Sequence, residues 1–237
     1  MDMLSHLLAD DPASPRLTVY NEADGTRMDF SAQTTENWAS KVANFLREEL
    51  DLDDGSVILV DLPVSWQTVM ISLGALAAGV TVHFATDTFA TGTSAADTSG
   101  SDNSDAAEPV VFFTTTDKAS EYTHRGDVVV VTTDPFGRGV EELGQQVPEG
   151  AIDFGPTVRF YGDFYPGETH PLAELIESDI EPHAERLLST GWTDSSSFQR
   201  QVLSPLAAGG SAVVVAGMVD TERLAEIAEN EKVTARD

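Results

Sequence analysis

Cysteine is absent from the 237-residue sequence. Disulfides, thiolate nucleophiles and cysteine-based metal sites are therefore excluded. The five histidines never stand in the H-x-H or H-x-x-x-H spacing of metal ligands, so we predict no metal site. No G-x-S-x-G nucleophile elbow and no G-x-G-x-x-G after a strand occurs either. These absences remove the local motifs of hydrolases and dinucleotide-binding enzymes, and we assign no catalytic residue.

Positive charge is scarce as well. Thirteen Lys and Arg residues oppose 40 Asp and Glu, for a formal net charge of −27. Such a surface repels nucleic acid and anionic membranes, so neither is predicted as a partner. It is typical of a cytoplasm that favours acidic surfaces, a salty one included. The alternative is an acidic face that meets a basic protein.

Long apolar runs are also missing. The longest, residues 69–84, is interrupted by Ser72, Gly74 and Gly79 and is too short to span a bilayer. The first residues, MDMLSHLLADDPASPR, carry no basic segment before an apolar run, so they do not resemble a secretory signal. We therefore expect a cytoplasmic protein.

What is present is an alternation of strand and helix patterns. Residues 17–30 alternate as a hairpin around Ala-Asp-Gly-Thr, and Ser31 is placed to cap an amphipathic helix. SVILVDL, an Ala/Gly-rich helix over 65–79 and VTVHF then form a βαβ unit. Further strands are predicted in PVVFFTT, DVVVVTT, RLLST and SAVVVAG, with a possible edge strand in VTAR. The fold class is therefore α/β, a mostly parallel sheet flanked by helices, within a single domain spanning 1–237.

The Gly, Ser and Thr content of residues 85–108 invites comparison with a phosphate loop. A phosphate loop needs backbone amides at a helix start and usually a lysine. This stretch has no Lys or Arg, and its carboxylates would repel a triphosphate. Its acidic residues are Asp87, Asp97, Asp102, Asp105 and Glu108. We predict a flexible acidic linker or loop.

Two stretches resemble the AMP-forming acyl-CoA synthetases of the adenylate-forming superfamily. The first is TVYNEADGTRMDFSAQTTENWASKVANFLREELDLDDGSVILVDLPVSWQTVMISLGALAAGVTVHF, with its LP-x-S turn and its helix ending in AG. The second is VLSPLAAGGSAVVV followed by DTERLAEIAENEKVT. The two cover roughly the first 85 and last 50 residues, in the family's order. The resemblance implies the N-terminal subdomain of such an enzyme, of a short, truncated kind.

Departures from the family pattern bear on its chemistry. The family's Ser/Thr/Gly-rich loop ends in Pro-Lys, whereas the corresponding interval, 163–203, contains no lysine. STGWTDSSS has suitable residue types but precedes a helix directly. The family's adenine motif, ribose-binding Asp and lid lysine find no match. Adenylation requires cations around the phosphates, so no cofactor is evident, and ATP with Mg²⁺ or CoA is implied only by the resemblance.

Two tryptophans mark the ends of predicted strands. Trp66 follows the LP-x-S turn, and Trp192 follows LLSTG. In open α/β sheets ligands collect beyond the carboxyl ends of strands, so Trp66, Trp192 and Asp194 could line one crevice if both strands share a sheet. The usual burial of large aromatics favours the alternative, in which both tryptophans belong to the core.

The sequence favours a non-catalytic relative of the acyl-CoA synthetases. It would bind an acyl or nucleotide ligand or a protein partner, alone or as a homo-oligomer. One alternative is half of a split AMP-forming ligase, completed by another chain. A further alternative is a structural or interaction protein without a small-molecule ligand.

Overall fold

The computed structural model describes residues 1–87 and 108–237. Its strands are β1 (Pro15–Asn21), β2 (Thr26–Ser31), β3 (Val57–Asp61), β4 (Thr81–Phe84), β5 (Val111–Thr114), β6 (Asp127–Val130), β7 (Ala151–Asp153), β8 (Arg186–Ser189), β9 (Ser211–Ala216) and β10 (Ala235–Arg236). Its α-helices are α1 (Ser5–Asp10), α2 (Ala32–Glu48), α3 (Trp66–Ala77), α4 (Phe154–Val158), α5 (Ser195–Phe198), α6 (Ser204–Ala207) and α7 (Thr221–Asn230). Between α5 and α6 the chain continues as a π-helical segment, Gln199–Leu203.

The described strands form two five-stranded sheets. Sheet A has the order β10-β8-β9-β1-β2, and sheet B has the order β4-β3-β5-β6-β7. All pairings are parallel except β1 with β2. Sheet A draws on both ends of the sequence, whereas sheet B is built from residues 57–153. The α/β class and the parallel pairing are confirmed, but the strands divide between two sheets because β1 pairs with β9 rather than with β3.

The N-terminal hairpin follows its predicted pattern. β1 and β2 pair antiparallel, with Leu17 opposite Phe30 and Asn21 opposite Thr26. Asp24 closes the turn by accepting a hydrogen bond from the Thr26 amide at 3.0 Å. The Ser31 hydroxyl then accepts from the Thr34 amide at 3.2 Å, and α2 begins there. The alternating pattern, the Asp24 turn and the Ser31 cap therefore each depend on residues that are close together in the sequence.

Helices α2 and α3 pack closely through a glycine. A Cβ added at Gly74 would lie 2.4 Å from the Val42 Cβ and 2.9 Å from the Ala39 carbonyl oxygen. No side chain other than hydrogen fits at that separation. The small residues of the predicted Ala/Gly-rich helix thus allow α3 to approach α2 closely.

A charged cluster around Glu231 connects strands of sheet A to the end of α7. One Glu231 oxygen accepts from the Tyr20 hydroxyl at 2.6 Å and from the Arg27 Nε at 2.8 Å, and the other accepts from Arg186 at 2.5 Å. The Arg186 guanidinium also donates to the Thr18 hydroxyl at 3.0 Å. We call these residues the Glu231 cluster. It connects β1, β2 and β8 to the residue that follows α7.

The helix predicted over SSFQRQVLSPLAAG is continuous but not regular. Its π segment ends at Leu203, and α6 begins at the next residue, Ser204. Pro205 is the second residue of α6. Proline has no amide hydrogen, so the regular i to i−4 ladder is interrupted there. The sequence indicated the helix but not its widened turn.

The predicted linker, residues 85–108, falls mostly outside the described residues. Its first residues, 85–87, are described and are held by hydrogen bonds. Ala85 donates its amide to Val60, and the Asp87 carboxylate accepts from the amides of Phe84 and Ser195. These three residues therefore belong to the packed structure rather than to a linker.

Candidate functional site

A cavity of about 500 Å³ opens beside strand β4. Its walls come from β4, from α3, from the helical segment 195–207 and from the stretch around Leu175. Strand β4 and α3 belong to the layer of sheet B, whereas the helical segment follows a strand of sheet A. The volume lies in the range of small-molecule sites.

Strand β4 is the edge strand of sheet B on this side. Thr81 donates its amide to Ser56 at 2.8 Å, and Ala85 donates to Val60 at 3.1 Å. Odd-numbered amides therefore face β3, and those of Val82 and Phe84 face away from it. The Phe84 amide donates to an Asp87 oxygen at 2.8 Å, so Asp87 covers part of the open edge.

Asp87 also connects the two layers of the cavity wall. Its carboxylate accepts from the Ser195 amide at 2.7 Å and from the Ser195 hydroxyl. Next to it, the Thr86 hydroxyl donates to the Thr193 carbonyl. The loop after β4 is thereby fastened to the start of α5, and the cavity lies beside this junction.

The apolar part of the wall is an aromatic cluster. Phe84 and Phe198 line the cavity, with ring centroids 5.2 Å apart. Trp192 packs behind them, 6.4 Å from Phe84 and 5.0 Å from Phe198. Val82 and Leu203 extend the same wall. This surface suits the aliphatic part of a ligand.

The polar part of the wall contains His83, Asp87 and Glu177. Burial lowers the pKa of His83, while the neighbouring charge of Asp87 partly opposes that shift. His83 is therefore neutral at pH 7. Glu177 is exposed at the rim, where one of its oxygens accepts from the Gln199 amide group at 2.8 Å. Among the described lining residues none is a lysine or an arginine.

Trp66 belongs to the core beside β2 and α2. It is 4% exposed, and its ring packs 5.1 Å from Phe30 and 5.0 Å from Trp38. Its indole nitrogen donates to the Pro135 carbonyl at 3.0 Å. The space it lines has a volume of about 30 Å³, enough for a water molecule but not for a ligand.

Trp192 and Asp194 lie at the other loop. Trp192 is 6% exposed behind the cavity wall, and Asp194 caps α5 by accepting from the Ser197 amide at 2.7 Å. That hydrogen bond and the Ser197 hydroxyl lower the pKa of Asp194. Neither residue lines the 500 Å³ cavity.

The single crevice considered from the sequence required one sheet, and that condition is not met. Trp66 follows β3 of sheet B, and Trp192 follows β8 of sheet A. The two loops nevertheless touch, because a Cβ at Gly191 would lie 2.8 Å from the Val64 side chain. Gly191 has a φ of +95°, so both conformation and space require glycine there. A ligand role for Trp66, Trp192 and Asp194 stays a prediction.

Sequence reasoning missed the residues that line the cavity. It assigned no role to His83 and placed Asp87 in the linker, whereas both line the cavity. The available signal was the position of His83 and Asp87 beside the end of a predicted strand. The partner, Ser195, lies 108 residues away, and no local pattern reveals that contact.

Two classes of feature are not found in residues 1–87 and 108–237. In these ranges no three His, Asp or Glu side chains come together as a possible metal site. Within the same part of the chain, no helix has the length and apolar content needed to cross a bilayer.

The fold is similar to that of an acyl-CoA synthetase. The structure is similar to the crystal structure of a Brucella canis acyl-CoA synthetase, with a TM-score of 0.68 over 100% of this chain. The match spans 47% of that protein, about half its length, at 16% identity, so the likeness concerns the fold.

The sequence itself is similar to a curated Mycobacterium tuberculosis protein described as a TIGR03089 family protein. The two are 32% identical over 248 residues, which is 98% of this chain and 95% of the relative. The chain therefore belongs to the TIGR03089 family. No family model matches it.

Proposed function

We propose that this chain is a non-catalytic relative of the acyl-CoA synthetases that binds a small, largely apolar ligand, such as an acyl group. The observation that carries the proposal is the 500 Å³ cavity with Phe84, Phe198 and Val82 in its wall. The acyl-CoA synthetase fold supports the acyl class. The lysine-free interval 163–203 supports the loss of adenylation chemistry.

The cavity does not fit a nucleotide. ATP or CoA brings several phosphate charges, which need cations or helix amides around them. The charged residues in the described lining are Asp87 and Glu177, both of the wrong sign, and His83 is neutral at pH 7. We therefore assign neither ATP with Mg²⁺ nor CoA to this site.

The test is isothermal titration calorimetry with 1-octanol, a neutral aliphatic probe. We expect saturable one-to-one binding to the unaltered chain. Val82→Phe places a phenyl group in the cavity wall and should weaken binding at least tenfold. The matched control is Val110→Phe, because Val110 is 48% exposed and lies outside the lining.

Tryptophan fluorescence gives a second readout. Trp192 touches two lining residues, so its emission should change with octanol, and Trp192→Phe should remove the change. Trp66→Phe should keep it. Absence of saturable octanol binding, or equal binding by the two Val→Phe variants, would overturn the proposal. Binding of Mg·ATP would instead favour half of a split AMP-forming ligase.

A further inference from the structure

The charges around the cavity restrict its ligand further than the apolar wall does. Asp87 and Glu177 line it, and the described lining holds no cationic side chain to offset them at pH 7. A carboxylate attracts a cation and repels an anion more strongly where water is partly excluded, which applies to the half-buried Asp87 more than to the exposed Glu177. The cavity therefore combines an aliphatic surface with a negative potential.

Both carboxylates are held in place. Asp87 accepts from the amides of Phe84 and Ser195, at 2.8 and 2.7 Å, and from the Ser195 hydroxyl. Glu177 is fixed twice to the side-chain amide of Gln199: its carboxylate accepts from the Gln199 Nε2, and its backbone amide donates to the Gln199 Oε1, both at 2.8 Å. Because these two side chains are already held in place, binding a charged ligand costs little additional side-chain entropy.

Neither carboxylate is neutralised by an ion pair in the described structure. The groups that contact Asp87 are amides and a hydroxyl, and the group that contacts Glu177 is a neutral amide. By contrast, Glu142, Glu22 and Glu231 each face an arginine. A positive charge on the ligand would supply the ionic partner that Asp87 and Glu177 do not have among the described residues.

We propose that the ligand of this cavity carries a protonated amine on an aliphatic body, with the amine near Glu177 and Asp87 and the aliphatic part against Phe84 and Phe198. This inference rests on the proposed function, since it concerns the same cavity. It narrows the ligand class to aliphatic amines, so that free fatty acids, acyl-CoA and nucleotides are not preferred and an acyl group binds only on a molecule that also carries an amine.

The test compares three probes with the same eight-carbon body: octylamine, 1-octanol and octanoate. Calorimetry at pH 7 and low salt should give the order octylamine, then octanol, then octanoate, with about fivefold or more between neighbours. One contact charge pair near the surface contributes on the order of 1 kcal/mol, which corresponds to about fivefold. Because salt screens charge, the amine preference should shrink at 1 M salt.

Variants separate the cavity charge from the overall charge of −27. Glu177→Gln should weaken octylamine binding about fivefold and leave octanol unchanged. Glu174→Gln makes the same charge change three residues away at an exposed position outside the lining, and should change neither. Val82→Phe should reduce octylamine binding along with octanol.

The outcomes also separate this inference from the proposed function. Equal affinity for octylamine and octanol, or tighter octanoate binding, would overturn the amine while leaving the apolar site intact. Equal effects of the Glu177 and Glu174 variants would assign the preference to general surface charge and would also overturn it. Failure of all three probes to bind would overturn both proposals.

Discussion

The α2–α3 crossing and the Glu231 cluster join distant parts of the chain by opposite means. At the crossing, Gly74 removes a side chain so that Val42 and Ala39 can approach its backbone. In the cluster, two arginines and a tyrosine surround one carboxylate. The first contact depends on shape and is indifferent to pH and salt. The second depends on charge, so solution conditions should change its strength.

The difference shows where an acidic chain uses its few cations. Of 13 Lys and Arg residues, Arg27 and Arg186 both contact Glu231, which is 9% exposed. A nearly buried carboxylate without partners would be costly, whereas carboxylates in water need none. Two of the thirteen cations are therefore placed where the desolvation of a carboxylate demands them.

The largest effect is expected at the crossing. Gly74→Val would force a branched side chain into a gap where even a Cβ lies 2.4 Å from Val42, so we expect a loss of about 3 kcal/mol or more in unfolding free energy. Urea denaturation measures it. In the companion test, Gly74→Ala should be partly rescued by Val42→Gly, because the second change removes the Val42 Cβ and Cγ1, the two atoms nearest to the added Cβ. A double variant as unstable as the sum of the singles would contradict the steric account.

The Glu231 cluster comes next. Burial alone would raise the pKa of Glu231, but hydrogen bonds from Arg27, Tyr20 and Arg186 outweigh it and lower the pKa from 4.5 to about 2. Glu231→Gln should therefore cost about 3 kcal/mol at pH 7. Glu229→Gln, an exposed position two residues earlier, is the control and should cost less than about 0.5 kcal/mol.

The pH profile sharpens the same contrast. The pKa of Glu231 is lowered on folding, so its stabilisation is present above pH 4.5 and is lost as the pH falls toward 2. The cost of Glu231→Gln should shrink over that window, and the cost of Gly74→Ala should stay constant. Chemical denaturation of both variants at pH 7, 4 and 3 measures this. Parallel pH profiles for the two variants would show that the cluster does not act through its charge.

The smallest effect is expected for Tyr20→Phe. It removes a hydroxyl that donates to Glu231 and accepts from the Arg27 Nε, and should cost about 1 kcal/mol. In a double-mutant cycle with Glu231→Gln the two costs should not add, because both changes remove the same hydrogen bond. Strict additivity would mean that the hydroxyl and the carboxylate act independently.

Local features of the fold could be predicted from the sequence. The hairpin, the Ser31 cap and the close approach at Gly74 each depend on residues a few positions apart or on one helix face. The division into two sheets could not be predicted in this way. Alternation marks β1 as a strand, but its pairing with β9 joins Leu17 to Ala212, and nothing near either residue specifies that partner.

The cavity could not be predicted from the sequence for the same reason. Its polar wall depends on the contact of Asp87 with Ser195, and its apolar wall on the packing of Phe84 against Phe198. Each pair joins a strand end in one layer to a helix in the other. The sequence located the aromatic residues Trp66 and Trp192 near strand ends, but only the packing shows that the nearly buried Phe84 and Phe198 contribute to the wall of a cavity.

The makeup of the two sheets has a consequence for synthesis on the ribosome. Sheet B is complete once residue 153 has emerged, and its strands pair with near neighbours in the sequence. The hairpin of residues 15–31 leaves the exit tunnel before any strand of sheet B, yet its parallel partner, β9, begins at residue 211. Until β9 has been translated, the β1 edge of that hairpin has no parallel partner strand. The hairpin is thus made before sheet B but completes its pairing after it, and a chaperone would have time to act on it in between.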